Sequence, residues 1–209
     1  VSLMIGFIVV IISAALGVVL GGVSGFFGGW VERVGMWLLD MLLVVPSFLL
    51  IAMIVRTANA TTGWIWLIIG LTAFGWVGYA RIIRTLTLSL RERDYVKAAR
   101  FMGVGSFKII VRHLMPNLAS MIIINTVLGV VGAVNSETAL SYLGLGVKAP
   151  DVSLGSVLQS GAVSMQTAPW LLVFPSIALV LLTFSMQLIG DGLRDALDPN
   201  SRASGTVGA

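Results

Sequence analysis

The chain has 209 residues, of which 57% are apolar and only 11% are charged, and its formal net charge is +4. A soluble domain carries roughly a quarter charged residues, so this composition excludes an ordinary soluble protein and indicates a membrane protein. The sequence has no cysteine and one histidine, His113, which excludes disulfides, thiolate chemistry and a histidine-cluster metal site. We therefore expect no metal bound by this chain.

Five apolar runs are long enough to cross a bilayer, which takes about 20 residues in a helix. They cover residues 3–29, 34–55, 63–80, 116–140 and 170–189. Each run is apolar on all sides and lacks the strict alternation of a transmembrane barrel strand. The sequence therefore predicts an all-α, polytopic bundle of membrane-spanning helices.

Lysine and arginine are distributed unevenly between the two sides of this bundle. If the loop between the third and fourth spans is cytoplasmic, only Arg56 and Lys148 lie outside. The inside segments hold Arg33, Arg81, Arg84, Arg91, Arg93, Lys97, Arg100, Lys108, Arg112, Arg194 and Arg202. This bias predicts a multi-pass membrane protein with a cytoplasmic C-terminus, and it explains the basic charge without nucleic acid. Since Val1 then lies outside, we expect one further span before it, six in all.

Four glycines recur every four residues in the first span: Gly17, Gly21, Gly25 and Gly29. This spacing places them on one helix face, where a neighbouring helix can approach closely. The neighbour belongs either to the same chain, which we favour, or to a second subunit.

The basic loop divides into two short helices. Residues 91–103 are predicted to carry an apolar stripe of Tyr95, Ala98, Ala99 and Met102 and an opposite face of Arg93, Lys97 and Arg100. Glycine favours helix ends and turns, so Gly103 and Gly105 are expected to break this helix.

Ser106 is expected to cap the second helix, which carries Phe107, and Pro116 is expected to open the fourth span. The spacing alone leaves two roles open for the loop. It lies on anionic lipid as an interfacial helix pair, or it forms an elbow that transmits force from a cytoplasmic motor.

Three groups of polar residues lie within or beside the spans, where charges are costly and often functional. Asn135, Ser136 and Glu137 are candidates to line a translocation path, with a structural contact as the alternative for Glu137. Asp40 is expected to form a structural ion pair.

The segments near the chain's end allow only coarse expectations. Residues 147–169 form either a partly re-entrant outer loop or a plain surface loop. Asp191, Arg194, Asp195 and Asp198 are predicted to form a short charged helix, with a possible Arg194–Asp198 pair, that anchors at the membrane surface or contacts a partner. We expect residues 1–202 to form one transmembrane domain and residues 203–209 a disordered tail.

The loop sequence resembles a known motif. Residues 94–103, DYVKAARFMG, and 112–117, RHLMPN, resemble the EAA loop of binding-protein-dependent ABC importer permeases. Ala98, Ala99, Gly103 and Pro116 match its spacing, whereas Lys97 stands where the family consensus has glutamate. His113 and Met115 likewise replace isoleucine and leucine.

Three further stretches resemble the C-type permease of the dipeptide and oligopeptide branch of that family. They are residues 28–30 with 40–46, residues 137–146 and residues 190–199. The resemblance covers residues 17–202. It implies import of di- or oligopeptides across the plasma (inner) membrane, with nickel or another small solute of the same branch as an alternative. A secondary transporter that needs no ATPase is a competing hypothesis from a different class.

The resemblance also implies partners. These are a second homologous permease, two cytoplasmic ATPase subunits that bind ATP and magnesium, an external solute-binding protein and membrane lipid. It implies a coupling loop at residues 85–115, in which the ATPase contacts are Tyr95, Lys97, Ala98, Ala99, Arg100, Gly103, Gly105, Phe107 and Pro116. The chain lacks the phosphate loop GxxxxGK[ST], so we expect no catalytic residue and no cofactor in it.

Overall fold

The computed structural model describes residues 1–56 and 62–197, and within them nine α-helices follow one another. In chain order they are α1 (Ser2–Phe27), α2 (Gly29–Val44), α3 (Ser47–Arg56), α4 (Gly63–Arg91), α5 (Asp94–Phe101), α6 (Ser106–Ile109), α7 (Met115–Tyr142), α8 (Leu154–Val163) and α9 (Trp170–Leu197). A π-helical turn, Ile110–Leu114, joins α6 to α7. These residues contain no strand, so the predicted all-α fold is confirmed.

Four helical segments can each cross a membrane by length and composition: α1, α4, the continuous stretch Ser106–Tyr142, and α9. A fifth span is the pair α2 and α3, which meet at an angle of 71°. The prediction of a continuous second span over residues 34–55 is therefore wrong at its centre. Val45 is extended, with φ −79° and ψ 128°, because a residue before proline is pushed out of the helical region, here by Pro46.

The third span is longer than predicted. α4 continues without interruption to Arg91, so the expectation that the span ends at residue 80 and a loop begins at Arg81 is wrong. No glycine or proline occurs between Arg81 and Arg91, and arginine and leucine are good helix formers. The helix therefore continues where its side chains become charged, and the connecting loop begins at Glu92.

α1 packs on α4 along three glycines, Gly17, Gly21 and Gly25. A Cβ atom at Gly17 would overlap Cβ of Tyr79, and one at Gly21 would overlap the carbonyl oxygen of Ala80. The absence of side chains at these positions lets the two backbones come close together. This contact lies within one chain, so the glycine face needs no second subunit to explain it.

Gly29 does not belong to that face, and the prediction that placed it there is wrong. α1 ends at Phe27, and Gly28 and Gly29 have positive φ values of 66° and 56°. Glycine adopts this region readily because it has no Cβ. The two glycines turn the chain from α1 into α2.

The apolar core lies where α1, α3, α4 and α7 meet. Its buried residues include Ile5, Val9, Val10, Ile51, Val55, Leu67, Leu71, Val130, Val134 and Leu140. α9, in contrast, has Gly190 as its one buried residue and exposes apolar side chains along most of its length. Lipid tails are as apolar as leucine, so such a surface suits a helix that faces the bilayer.

The two ends of the bundle differ. We call the end that carries residues 92–114 the loop end and the other the far end. At the far end the backbone N–H of Leu154, the first residue of α8, donates to Oγ of Ser2 at 2.9 Å. Neither expectation for residues 147–169 included α8, although Ser153 and Ser156 cap it reciprocally.

The charged residues Asp191, Arg194 and Asp195 belong to α9 itself, so the prediction of a separate short helix after the last span is wrong. Gly192 is the only glycine or proline between Asp191 and Leu197, and α9 continues through it. Asp198, with its expected pairing to Arg194, and the tail 203–209 lie outside the described residues.

Candidate functional site

The helix α5 is seated on the bundle through one buried side. Val96 and Ala99, three residues apart, are buried and pack in one cluster with Phe26 of α1, Ile109 of α6 and Leu114 of the π-helical turn. Residues at this spacing share a helix face. α5 is therefore packed against both the end of α1 and the turn that leads into α7.

The other side of α5 exposes apolar residues. Phe101 is 91% exposed and Met102 75%, and Tyr95 and Ala98 are also exposed. We call these four residues the tip surface. Large apolar side chains grouped at the surface mark sites of interaction, because burial against a partner removes them from water.

The predicted apolar stripe is correct only in part. α5 covers Asp94–Phe101 rather than residues 91–103, and Ala99 faces the bundle together with Val96. Tyr95, Ala98 and Met102 face away from the bundle. The prediction that all four stripe residues lie on one face is wrong for Ala99, because α5 has two partly apolar sides and the spacing did not separate them.

α5 ends in a turn that uses Gly103. This residue has φ 76°, its N–H donates to the carbonyl of Arg100, and the N–H of Val104 donates to the carbonyl of Ala99. These two bonds form a Schellman closure, which favours glycine at the left-handed position. Gly105 has φ −63° and ψ 145°, a conformation open to any residue, so Gly103 alone carries the turn.

Gly105, and not Ser106, occupies the N-cap position of α6, and no side chain caps that helix. The expected cap by Ser106 is therefore wrong by one residue. Ser106 is instead the first residue of the helix.

α6 continues into α7 through the π-helical turn, and Pro116 explains that turn. In an α-helix the ring of Pro116 would clash with the carbonyl of Arg112, and no N–H would bond to that carbonyl. The wider turn, in which the N–H of Met115 bonds to the carbonyl of Ile110, accommodates the ring. Pro116 thus lies at the start of α7, within a continuous helical segment.

Arg91 and Lys97, at the start of the loop, are held by specific contacts. Arg91 donates from Nη1 to the carbonyl oxygen of Gly25 at 3.0 Å. Glu92 accepts from Nε of Arg91 at 3.2 Å and lies 3.5 Å from Nζ of Lys97. The hydrogen bond from Arg91, followed by that from Lys97, lowers the pKa of Glu92. Lys97, which replaces the family's glutamate, thus has an acidic partner within its own chain.

Two further ion pairs join α2 to α4. Asp40 accepts from Arg81 at 2.5 Å, which is the structural contact expected for Asp40. Glu32 pairs with Arg84, and their side chains are only 22% and 21% exposed. The sequence analysis missed this second pair, although Arg81 and Arg84 stand three residues apart on one side of α4.

Glu137 is fully buried at the far end of α7. Its Oε1 accepts from the hydroxyl of Ser141 at 2.7 Å, and Oγ of Ser141 accepts from the N–H of Val147 at 3.0 Å. Gly144, with φ 75°, closes the helix between them. This relay fixes the chain that leaves α7, which agrees with the structural alternative for Glu137.

Asn135 and Ser136 are exposed, unlike Glu137. Ser136 lines two cavities of about 230 Å³ each, which also share Leu71 and Gly75 of α4. The three predicted path residues are therefore divided between a surface with cavities and the interior of the bundle.

Tyr79 was not singled out by the sequence. Its hydroxyl donates to the carbonyl of Asn125 at 2.6 Å, and a side chain at Gly129 would overlap that hydroxyl. Its Cβ lies against Gly17, so one residue connects α1, α4 and α7. The sequence signals this contact only weakly, through a tyrosine in one span and glycines, Gly17 and Gly129, in two others.

Comparison with known proteins decides the family. Residues 17–203 match the family described as binding-protein-dependent transport system inner membrane component. The chain belongs to this family. As an inner membrane component, it is a multi-pass protein of a transport system that includes a binding protein, and its described residues supply the spans that such a component needs.

Family members of known name are similar over most of the chain. It is 47% identical over 202 residues to the oligopeptide transport system permease protein OppC of Mycobacterium tuberculosis (strain H37Rv), covering 97% of this chain and 69% of that protein. It is 36% identical over 203 residues to the dipeptide transport system permease protein DppC of Bacillus subtilis, covering 97% and 63%. The permease is thus similar to members with both oligopeptide and dipeptide names.

A solved structure of the MetNI methionine ABC transporter, in inward-facing conformations, contains a chain of the same fold. The TM-score is 0.63 at 18% sequence identity, and the match covers 94% of each chain. At this identity the likeness concerns the fold alone. It supports the all-α fold described above.

Proposed function

We infer that this chain is the permease subunit of an ATP-driven importer that carries di- or oligopeptides across the plasma membrane into the cytoplasm. The observation that carries this proposal is the tip surface, an exposed apolar face on a helix that is firmly seated on α1 and α7. The names of relatives at 36% and 47% identity support peptides as the substrate.

In this proposal the loop end faces the cytoplasm, where the tip surface contacts an ATPase subunit. Two such subunits bind ATP and magnesium, and they supply the catalysis that this chain lacks. A second, homologous permease completes the path. The solute-binding protein delivers peptide at the far end, close to α8, and the C-terminus is cytoplasmic.

The buried side of α5 explains how the ATPases act on the path. Val96 and Ala99 contact Phe26, and Arg91 bonds to the carbonyl of Gly25, so movement of α5 displaces the last turn of α1. α1 is packed closely on α4 and α7. The three helices are expected to move together as the importer changes between its inward-open and outward-open states.

Ser136 and Asn135 are the path candidates that this arrangement favours. Ser136 lies beside one cavity between α1, α4 and α7 and another between α3, α4 and α7, and its hydroxyl donates to the carbonyl of Gly132. Glu137 has its carboxylate inside the bundle and holds the loop after α7. We assign it a structural role rather than contact with substrate.

Experiments can distinguish two alternatives from this proposal. The first is an importer of nickel or another small solute from the same branch, which the features of this chain do not separate from a peptide importer. A secondary transporter would need ionisable residues that are free to bind a coupling ion. Asp40 is paired with Arg81, which disfavours that mechanism for Asp40. At Glu137, Oε1 accepts from Ser141, whereas the buried Oε2 has no hydrogen-bond partner among the described residues.

The proposal is tested with the full-length protein expressed with the genes next to its own. An ATPase should co-purify, and proteoliposomes should take up a labelled di- or tetrapeptide only with ATP inside and binding protein outside. The Phe101→Ser/Met102→Ser variant should lose the ATPase, whereas Val163→Ser, a change at an exposed apolar residue of the far end, should keep it. Uptake driven by a proton gradient without ATP, or uptake of nickel in place of peptide, would each contradict it.

A further inference from the structure

Two cations without partners lie one helical turn apart at the loop end. Lys108 in α6 and Arg112 in the π-helical turn are both exposed. Among the described residues, neither forms an ion pair with an acidic side chain, and Glu92 of the same loop is engaged by Arg91 and Lys97. The two positive charges therefore have no counter-ion within residues 1–56 and 62–197.

The same two residues line a surface groove of about 450 Å³, together with Phe107, Val111 and Pro116. Phe107 is 79% exposed and Val111 is 50% exposed, so apolar and cationic side chains stand beside each other. A short helical segment that carries both kinds of side chain is typical of the boundary between headgroups and acyl chains.

The groove is placed at the edge of a membrane span. Pro116 is the second residue of α7, and the helix that lines the groove continues without a break into that span. Ile123, two turns further along α7, is an exposed apolar residue. The cationic part of the groove thus lies at the loop end of this span, and its apolar part leads toward exposed apolar side chains of α7.

We propose that this groove binds an anionic phospholipid on the cytoplasmic leaflet. Lys108 and Arg112 contact the phosphate and its anionic headgroup, and Phe107 and Val111 enter the layer between headgroups and acyl chains. One acyl chain lies along Pro116 and Ile123. The lipid then contacts the segment that joins α5 to α7, so it is positioned to hold this part of the coupling loop at the membrane surface.

We favour lipid over a protein as the occupant of this groove. Phe107 and Pro116 belong to the loop that resembles the ATPase-binding motif. The surface that we assign to the ATPase, however, is the tip surface on α5, which the turn at Gly103 separates from the groove. Basic residues next to the cytoplasmic end of a span attract anionic lipid, with about 1 kcal/mol from each lysine or arginine near the surface. Two adjacent cations without a protein partner therefore favour an anionic over a zwitterionic headgroup.

The test uses the full-length protein, with the subunits that co-purify with it, titrated with palmitoyl-oleoyl phosphatidylglycerol or phosphatidylcholine. Native mass spectrometry counts the lipids retained. Phosphatidylglycerol should bind more tightly, and Lys108→Gln/Arg112→Gln should weaken it roughly 10- to 30-fold, toward the level of phosphatidylcholine. The variant Lys108→Arg/Arg112→Lys, which keeps both charges, should retain binding.

A charge-matched control is Arg33→Gln/Arg93→Gln, which removes two cations outside the groove and should leave phosphatidylglycerol binding close to that of the unmodified protein. Equal loss in this control would show a general charge effect and overturn the proposal. Unchanged lipid binding in Lys108→Gln/Arg112→Gln would also overturn it, and loss of the ATPase in that case would assign the groove to the ATPase. Lipid retention is measured without peptide or ATP, so its failure is separate from a failure of the proposed transport function.

Discussion

The guanidinium group of Arg100 lies over the ring of Phe26, with 4.6 Å between Cζ and the ring centroid. Arg100 is in α5, whereas Phe26 is a buried residue in the last turn of α1. A cation over an aromatic face is attracted by the ring quadrupole. This contact adds to the apolar packing of Val96 and Ala99, so the exposed loop helix and the first span are joined at one point.

Gly103→Leu should separate ATP hydrolysis from transport. A bulky residue at φ 76° costs roughly 1–2 kcal/mol, so the turn after α5 would rearrange and move the tip surface. We expect the complex to hydrolyse ATP while peptide uptake in proteoliposomes falls severalfold. Gly105→Leu is the matched control, because φ at Gly105 is −63° and nothing lies within 4 Å of a Cβ there. Equal behaviour of the two variants would argue against a special role for the Gly103 turn.

Gly21→Ala should destabilise the packing of α1 on α4. The new Cβ would overlap the carbonyl oxygen of Ala80, which cannot move without shifting the helix, and such overpacking costs about 1–3 kcal/mol. Thermal unfolding in detergent should show a lower midpoint. Gly22→Ala, the next residue, meets nothing within 4 Å and should be neutral or stabilising by up to about 1 kcal/mol. A lower midpoint for Gly22→Ala alone would contradict the assigned packing face.

Arg84→Gln should destabilise the protein more than Arg81→Gln. The Glu32–Arg84 side chains are 22% and 21% exposed, so the substitution leaves Glu32 as a charge in a largely buried place, which costs about 3 kcal/mol at full burial. The Asp40–Arg81 side chains are 60% and 46% exposed, and such pairs contribute about 0–1 kcal/mol. The comparison is made by thermal unfolding in detergent. Equal shifts in the two midpoints would contradict the difference in burial.

Lys97→Ala should have a mild effect on transport at neutral pH. Glu92 keeps its first partner, Arg91, so its pKa stays below the ordinary value after the substitution. Because this pKa is lowered in the folded protein, the contribution of Glu92 to stability is present at neutral pH and is lost only as the pH falls into the acidic range. Titration of Glu92 should therefore have little effect on initial uptake rates between pH 6 and about 8. A large loss of uptake at pH 7 would instead indicate that Lys97 contacts the ATPase directly.

Ser141→Ala should loosen the far end. The substitution leaves the N–H of Val147 and the buried oxygen Oε1 of Glu137 without their partner, and each unsatisfied buried group costs about 1–3 kcal/mol. Hydrogen–deuterium exchange should increase in residues 143–153. Ser160→Ala is the control, because its exposed hydroxyl donates only within α8, to the carbonyl of Ser156. Unchanged exchange in Ser141→Ala would argue against the Glu137 relay as the element that holds this segment.

The spans were predicted well because each is a property of its own residues. α1, α4, α7 and α9 all overlap their predicted ranges, and the loop carries the expected break between two helices. The errors concern ends and bends. α4 continues to Arg91 because charge does not end a helix, and Pro46 bends the second span because its steric effect on Val45 outweighs the apolar pattern.

The candidate site was predicted less completely. Gly103 was singled out before its positive φ was known, and the pairing of Asp40 was expected, but its partner, Arg81, was not. Tyr79 and the Glu32–Arg84 pair were missed because each joins residues that lie far apart in the sequence. No local pattern in one chain distinguishes such a contact from a solvent-facing side chain.

The sequence by itself determined the membrane class, the number of apolar spans, the glycine face of α1 and the position of the basic loop. Length, hydropathy and helical spacing act within a single segment, so they can be read without knowing its neighbours. Only the tertiary structure decided which side of α5 is buried, with Val96 and Ala99 turned inward and Tyr95 and Met102 turned outward. Burial depends on which helices lie alongside, and that neighbourhood exists only once α1, α4 and α7 have packed together.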